Sequence, residues 1–147
     1  MTAININITA TLAQSNLKEL ESKLKNLKPV MSSIGEYMVR RTRQRFDSET
    51  SPDGVKWAPL AEATIAAKRE RRTNAPPTAI LKSTFTLRDT IAYVPTETSV
   101  KIGTPQEYGK FHQYGTRRIP ARPFLGYNQQ DLKEIEEIFV DALELLT

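Results

Sequence analysis

Met31, Ile34, Met38, Thr42 and Phe46 recur at three- and four-residue spacing, and the run is cut short by Ser51-Pro52-Asp53-Gly54. Only a helix lines up such residues on one face, so residues 29–47 are expected to form one, with an apolar stripe that must be covered by another layer. Pro29 either stops a preceding helix or sits in the first turn of this one. Arg40 and Arg43 point away from the stripe, while Arg41 and Arg45 flank it. The break that follows is a strong turn signal, since Pro presets φ and Gly accepts a positive one.

The flanking segments supply material for the covering layer. Ile4, Ile6 and Ile8 alternate with polar residues, the period of a half-buried strand. Ser15 or Asn16 can cap a helix carrying Leu17, Leu20, Leu24 and Leu27 on one face. Lone Trp57 follows the turn, and Pro59 opens an Ala-rich helix over about residues 60–72 that ends in Lys68-Arg69-Glu70-Arg71-Arg72. The two prolines of Thr73–Thr78 exclude helix and central strand, leaving a flexible loop. Ile91 and Tyr93, then Val100 and Ile102, alternate on either side of Pro95-Thr96-Glu97-Thr98, an antiparallel hairpin that Gly103 ends. A short helix fits residues 106–114, closed by Gly115. The last helix starts at Asn128, with Leu132, Ile135, Phe139, Ala142 and Leu146 on one face and acids on the other. The expected fold is α+β, one domain over residues 1–147, with about four helices on a small, mainly antiparallel sheet and flexible loops near 48–56 and 73–79.

Composition removes whole classes of function. The 147 residues include no cysteine, which excludes disulfides, zinc–thiolate sites, iron–sulfur clusters and cysteine nucleophiles. No apolar run approaches the roughly 18 residues of a membrane span. The N-terminus has neither the basic flank nor the apolar stretch of a signal peptide, so a soluble, intracellular domain is expected. His112 is the only histidine, with no acid at helical spacing to orient it, and beside Tyr108 and Phe111 it reads as a structural residue of an aromatic cluster. Asp131, Glu134, Glu137 and Asp141 read as the solvated side of an amphipathic helix rather than as acid–base pairs. The glycines match no phosphate-binding pattern. No catalytic residue, cofactor or metal ligand is expected, and the chain does not read as an enzyme.

Charge is distributed unevenly. Residues 40–122 carry sixteen Lys/Arg against eight Asp/Glu, whereas residues 123–147 carry one Lys against six acids. The arginines Arg40, Arg43, Arg69, Arg71, Arg72, Arg117, Arg118 and Arg122 are therefore the candidate interaction residues. Arg40-Arg41, Arg43, Arg45, Lys68-Arg69 and Arg71-Arg72 could neutralise several phosphates, which keeps a basic nucleic-acid-binding module as the alternative reading. No aromatic residues interleave them as a single-strand platform requires, and no zinc finger, RNA-recognition signature or helix-turn-helix is present. Contact with DNA is expected to be incidental.

The segment GTPQEYGKFHQYGTRRIPARPFLG (residues 103–126) holds four aromatics, four glycines and three prolines. Pro120 and Pro123 fix φ at two points, Phe124 and Leu125 are buriable anchors, and Thr116-Arg117-Arg118 forms a basic tip on that rigid base. Taken in order, SPDGVKWAPL, ILKSTFTLRDTI, VKIGT and YGKFHQYGTRRIPARPFLG resemble the phage virion morphogenesis family of Mu G-like and P2 S-like tail completion proteins. The four motifs span roughly residues 46–126, and their order and spacing make the combination specific. The family pattern has Gly where this chain has Phe85, a position at which Gly can supply a positive φ.

The resemblance implies a structural protein of tailed phages or prophages that completes the tail or neck so that heads and tails join. It implies a virion location after assembly in the host bacterial cytoplasm. Partners are neighbouring copies in a hexameric ring, and tail terminator, tube or head-connector proteins. A basic middle and an acidic last helix suit head-to-tail contacts between copies. The expected contacts are the basic flank of helix 29–47 or the Arg117-Arg118 tip on an acidic surface, with the 73–78 loop and the SPDG turn as docking elements.

Overall fold

The computed structural model describes residues 2–7, 27–71, 76, 78–81 and 86–144. Strand β1 is Thr2–Asn7 and helix α1 is Lys28–Ser48, with its proline in the first turn. Helix α2 is Glu62–Glu70, α3 is Thr86–Asp89, β2 is Ala92–Pro95 and β3 is Ser99–Thr104. Helix α4 is Gly109–Tyr114 and α5 is Gln129–Glu144. The α+β expectation stands, with five helices among the described residues rather than four. The helix expected from Ser15 or Asn16 lies outside the described residues, as do Ile8, Phe85, Leu146 and most of the 73–79 loop.

Helix α1 organises the rest. Its whole stripe is buried, with Met31 at 1% exposure and Ile34, Met38, Thr42 and Phe46 at 0%. Thr42 is tolerated there because its hydroxyl donates to the Met38 carbonyl at 2.7 Å. The stripe lies on a three-stranded antiparallel sheet of order β1-β3-β2. Ile4 pairs with Ile102, Ile6 with Val100, and Tyr93 with Ile102 on the other side, so one face carries the aliphatic residues against α1. Gly35 permits the close crossing of helix and sheet: a Cβ there would come within 2.4 Å of the Tyr93 ring. The central strand runs past Gly103 to Thr104, because Gly103 pairs with Ala3 and Thr104 with Thr2. The hairpin itself ends at Gly103 as expected, where Ala92 is its last β2 partner.

Helix α5 also packs on α1, and its Ile135 and Phe139 are buried. An aromatic cluster forms around Phe46 near the end of α1. Phe46 meets Trp57 edge-on at 5.5 Å and Phe124 at 5.2 Å, so the expected anchor Phe124 is in the core together with Trp57. The SPDG turn is closed by Gly54 at φ +83°, by Ser51 N donating to Val55 O at 2.8 Å, and by a bridge between Thr50 and Lys56. Helix α2, by contrast, has no buried residue.

Candidate functional site

Seven of the eight candidate arginines fall within the described residues, and the structure divides the basic residues into groups with different surroundings. The first group was misjudged from sequence. Asp131, expected on a solvated face, is 0% exposed. Its carboxylate accepts from Arg41 Nε at 2.8 Å, Arg45 Nη2 at 2.7 Å and Tyr37 Oη at 3.0 Å. Tyr37, Arg41 and Arg45 are four residues apart along α1 and so present one row to the acid. Asp131 also closes a reciprocal cap with Asn128: Asn128 N donates to Oδ2 at 3.0 Å and Asp131 N to Asn128 Oδ1 at 2.9 Å. Burial would raise the Asp131 pKa, but the hydrogen bonds from Arg41 and Asn128 and the charge of Arg45 outweigh it and hold the carboxyl below its ordinary value. Burial and the same carboxylate push the Tyr37 hydroxyl up to about 12. Arg45 further donates to Gly126 O at 2.7 Å and Phe124 O at 3.3 Å, tying α1 to the segment that leads into α5. This cluster is satisfied on every side and holds the fold.

The Pro-rich segment after α4 is clamped from several directions. Gly115 ends α4 at φ +76°, and a Cβ there would sit 2.8 Å from Ala121 N. Gln113 Oε1 accepts from both Phe124 N and Leu125 N at 3.0 Å, while its Nε2 donates to Leu125 O at 2.9 Å. Trp57 Nε1 donates to Pro123 O at 2.8 Å. Thr116 Oγ1 accepts from Arg118 N and Ile119 N, and Thr116 N donates to Ile119 O, which folds Thr116–Ile119 into a tight turn. Arg117 and Arg118 are exposed on that turn, so the basic tip does stand on a fixed base.

Behind the tip lies a cavity of about 430 Å³ between α2, α3, α4 and the clamped segment. Leu60, Leu87 and Ile119 form apolar wall, and Lys68, His112, Arg118 and Arg122 bring the polar groups. Arg122 is 5% exposed, yet its guanidinium donates only to the carbonyls of Ala58 at 2.8 Å and Pro59 at 3.1 Å. Among the described residues no carboxylate pairs with it, and burial lowers its pKa with nothing opposing. Lys68 is half-buried, donates to Ala79 O at 2.7 Å and is also pulled down by burial, with Glu49 opposing and Arg122 adding to the fall. His112 Nδ1 is buried and without a hydrogen-bond partner, and burial together with Arg122 holds its pKa below the ordinary imidazole value. The ring does meet Tyr108 edge-on at 6.1 Å as expected, but Phe111 is 44% exposed rather than part of a closed cluster.

The remaining candidates lie apart. Arg40 is exposed and stands 5.7 Å over the Tyr37 ring. Arg43 reaches the carbonyls of Asp89 and Ile91 at 3.4 Å each, and its Nε is buried without a partner. Both line a groove beside α1 and β2 that also contains Glu36, Asp47 and Arg88, a mixture of signs unlike the purely cationic cavity. Arg69 and Arg71 are exposed at the end of α2, and Arg72 lies outside the described residues. Among the described residues no cluster of His, Asp or Glu could hold a metal ion, and no helix is long and apolar enough to cross a membrane.

Sequence reasoning missed Asp131 and Gln113 as site-building residues, and placed Lys68 only in a basic cluster able to meet phosphates. The Asn128/Asp131 capping pattern, and the Tyr37-Arg41-Arg45 row next to an apolar stripe, were the signals available for the first. Gln113 carries no such mark, because its partners are backbone groups eleven and twelve residues away.

Known proteins match this sequence over most of its length. The Mu-like prophage FluMu G protein 1 of Haemophilus influenzae is 31% identical over 136 residues, 87% of this chain and 91% of that protein. Tail completion protein S of Escherichia phage P2 is 26% identical over 151 residues, 88% of this chain and 99% of that protein. No solved structure matches the chain significantly. The family model for phage virion morphogenesis matches residues 8–144, and the chain belongs to the phage virion morphogenesis family.

Proposed function

We propose that the protein is a structural, non-catalytic subunit that completes the tail or neck of a phage or prophage particle so that heads and tails join. It works as a ring of identical copies between tail terminator, tube or head-connector proteins, is assembled in the host cytoplasm and ends in the virion. The observation that carries this reading is the near full-length match to a protein named for tail completion. Two features of the chain support the repeated-subunit part. Its basic and acidic surfaces belong to different elements, and a basic tip stands on a clamped loop, which lowers the ordering cost of a contact.

Electron microscopy of an induced lysate from a prophage lacking this gene tests the reading. DNA-filled heads beside free tails are expected. Normal particles in normal number would overturn it and move attention to the arginines as a nucleic-acid module, tested by salt-dependent binding to duplex and single strands.

A further inference from the structure

The cavity beside the clamped loop is built around a cation that lacks its anion. Arg122 is 95% buried by its 5% exposure, held by two carbonyl oxygens, and joined at the cavity wall by Lys68 and Arg118. Buried cations are ordinarily paired, and the Asp131 cluster in this same chain obeys that rule. A second unsatisfied group, His112 Nδ1, belongs to the same wall. With Leu60, Leu87 and Ile119 alongside, the site calls for an apolar side chain flanked by carboxylates.

The chain carries such a feature on another surface. Helix α5 exposes Val140 at 45%, with Glu137 one turn before it and Asp141 directly after it, both exposed. Among the described residues neither acid makes an ion pair, and no residue of α5 lines the cavity. We propose that the Glu137-Val140-Asp141 face of α5 in one copy docks in the Lys68/Arg118/Arg122 cavity of the next, with a carboxylate from α5 completing the buried arginine. Because two different surfaces meet, the contact repeats from copy to copy and closes a ring or extends a filament. This deepens the reading of the protein as a repeated structural subunit and rests on it.

The chain has no cysteine, so engineered thiols report the contact cleanly. Full-length Arg118→Cys and Val140→Cys are mixed under oxidising conditions, and the double variant is oxidised alone. The expected result is a 118–140 disulfide in the mixture, identified by peptide mass spectrometry, and a ladder above dimer in the double variant. Pairing of 118 with 118 or 140 with 140 at equal yield would overturn the proposal. So would wild-type protein that sediments as a monomer at millimolar concentration.

Charge exchange supplies an independent check at exposed positions that do not hold the fold. Arg118→Glu and Glu137→Lys should each weaken association about tenfold or more, and the two together should restore it. No recovery would contradict the pairing. A short duplex that binds wild type, fails to bind Arg118→Glu and blocks self-association of the wild-type protein would assign the cavity to phosphate instead. The deletion lysate decides the tail-completion reading separately, so loss of one does not entail loss of the other.

Discussion

The molecule builds two arginine-rich sites from the same side chain and completes only one of them. Around Asp131, Arg41 and Arg45 share a fully buried carboxylate with Tyr37, Arg45 also reaches the Gly126 and Phe124 carbonyls, and Arg41 reaches Gln44 Oε1. Around the cavity, Arg122 is equally hidden but meets carbonyls only, with Lys68, Arg118 and His112 adding no negative charge. A buried charge is tolerable when paired and hydrogen-bonded, and costly otherwise. The first site is therefore finished within the fold, while the second remains receptive to an acid from outside. Burial alone would not separate them; the presence or absence of a carboxylate does.

Removing the acid from the finished site should have the largest effect. Asp131→Asn leaves two guanidinium groups without their counter-charge and weakens the cap of α5, so a loss of about 3–5 kcal/mol is expected in urea unfolding. A loss under about 1 kcal/mol would show that the cluster does not hold the fold. In the unfinished site, Arg122→Met removes a buried cation that has no partner acid and should cost no more than about 1–2 kcal/mol, since only neutral acceptors are lost. If Arg122→Met proved as damaging as Asp131→Asn, the distinction between the sites would fail. Gln113→Ala, which strips three hydrogen bonds from the clamped segment, should lie between these two, at about 1–3 kcal/mol.

The pH dependence should also differ between the sites. Asp131 is held below its ordinary value, so its contribution is complete above about pH 4 and is lost as pH falls through the lower folded value. Tyr37 is raised to about 12, so its contribution is complete below about pH 10 and is lost as pH rises toward 12. His112 behaves in the opposite direction to Tyr37. Its folded value is depressed, so stability from this residue is present above about pH 6.5 and falls as the pH drops and the ring is driven to accept a proton. Denaturant midpoints measured from about pH 2 to 12 span all three windows and test each direction. Since the chain has one histidine, its proton resonances also report the cavity directly. Docking of a carboxylate should move the His112 titration to higher pH, and an unchanged titration in the assembled protein would contradict an acid in the cavity.

Much of the fold was legible because it is local. The α1 stripe, the hairpin, the Gly115 stop and the Trp57 and Phe124 anchors each follow from spacing or turn chemistry within a few residues. What was hidden depends on partners distant along the chain. Asp131 lies on a helix whose other acids are polar-faced, and only Tyr37, 94 residues away, and the arginines beside it reveal why this one is buried. The pairing of β1 with β3 is likewise non-local, and it carries the central strand one residue beyond the glycine that ends the hairpin. The clamped loop was visible as composition. The cavity behind it was not, because it needs α2, α3 and α4 placed together.

Arg118→Glu separates folding from assembly most directly. The residue is exposed and makes no ion pair among the described residues, so its replacement should change stability by no more than about 0.5 kcal/mol, or roughly 2 °C in melting temperature. The decisive measurement is the plaque titre of a gene-deleted prophage complemented with this variant, made alongside the melt of the purified protein. A native melt with titre at the level of the deletion is the predicted result. A native melt with full titre would contradict the claim that the open arginine site serves assembly.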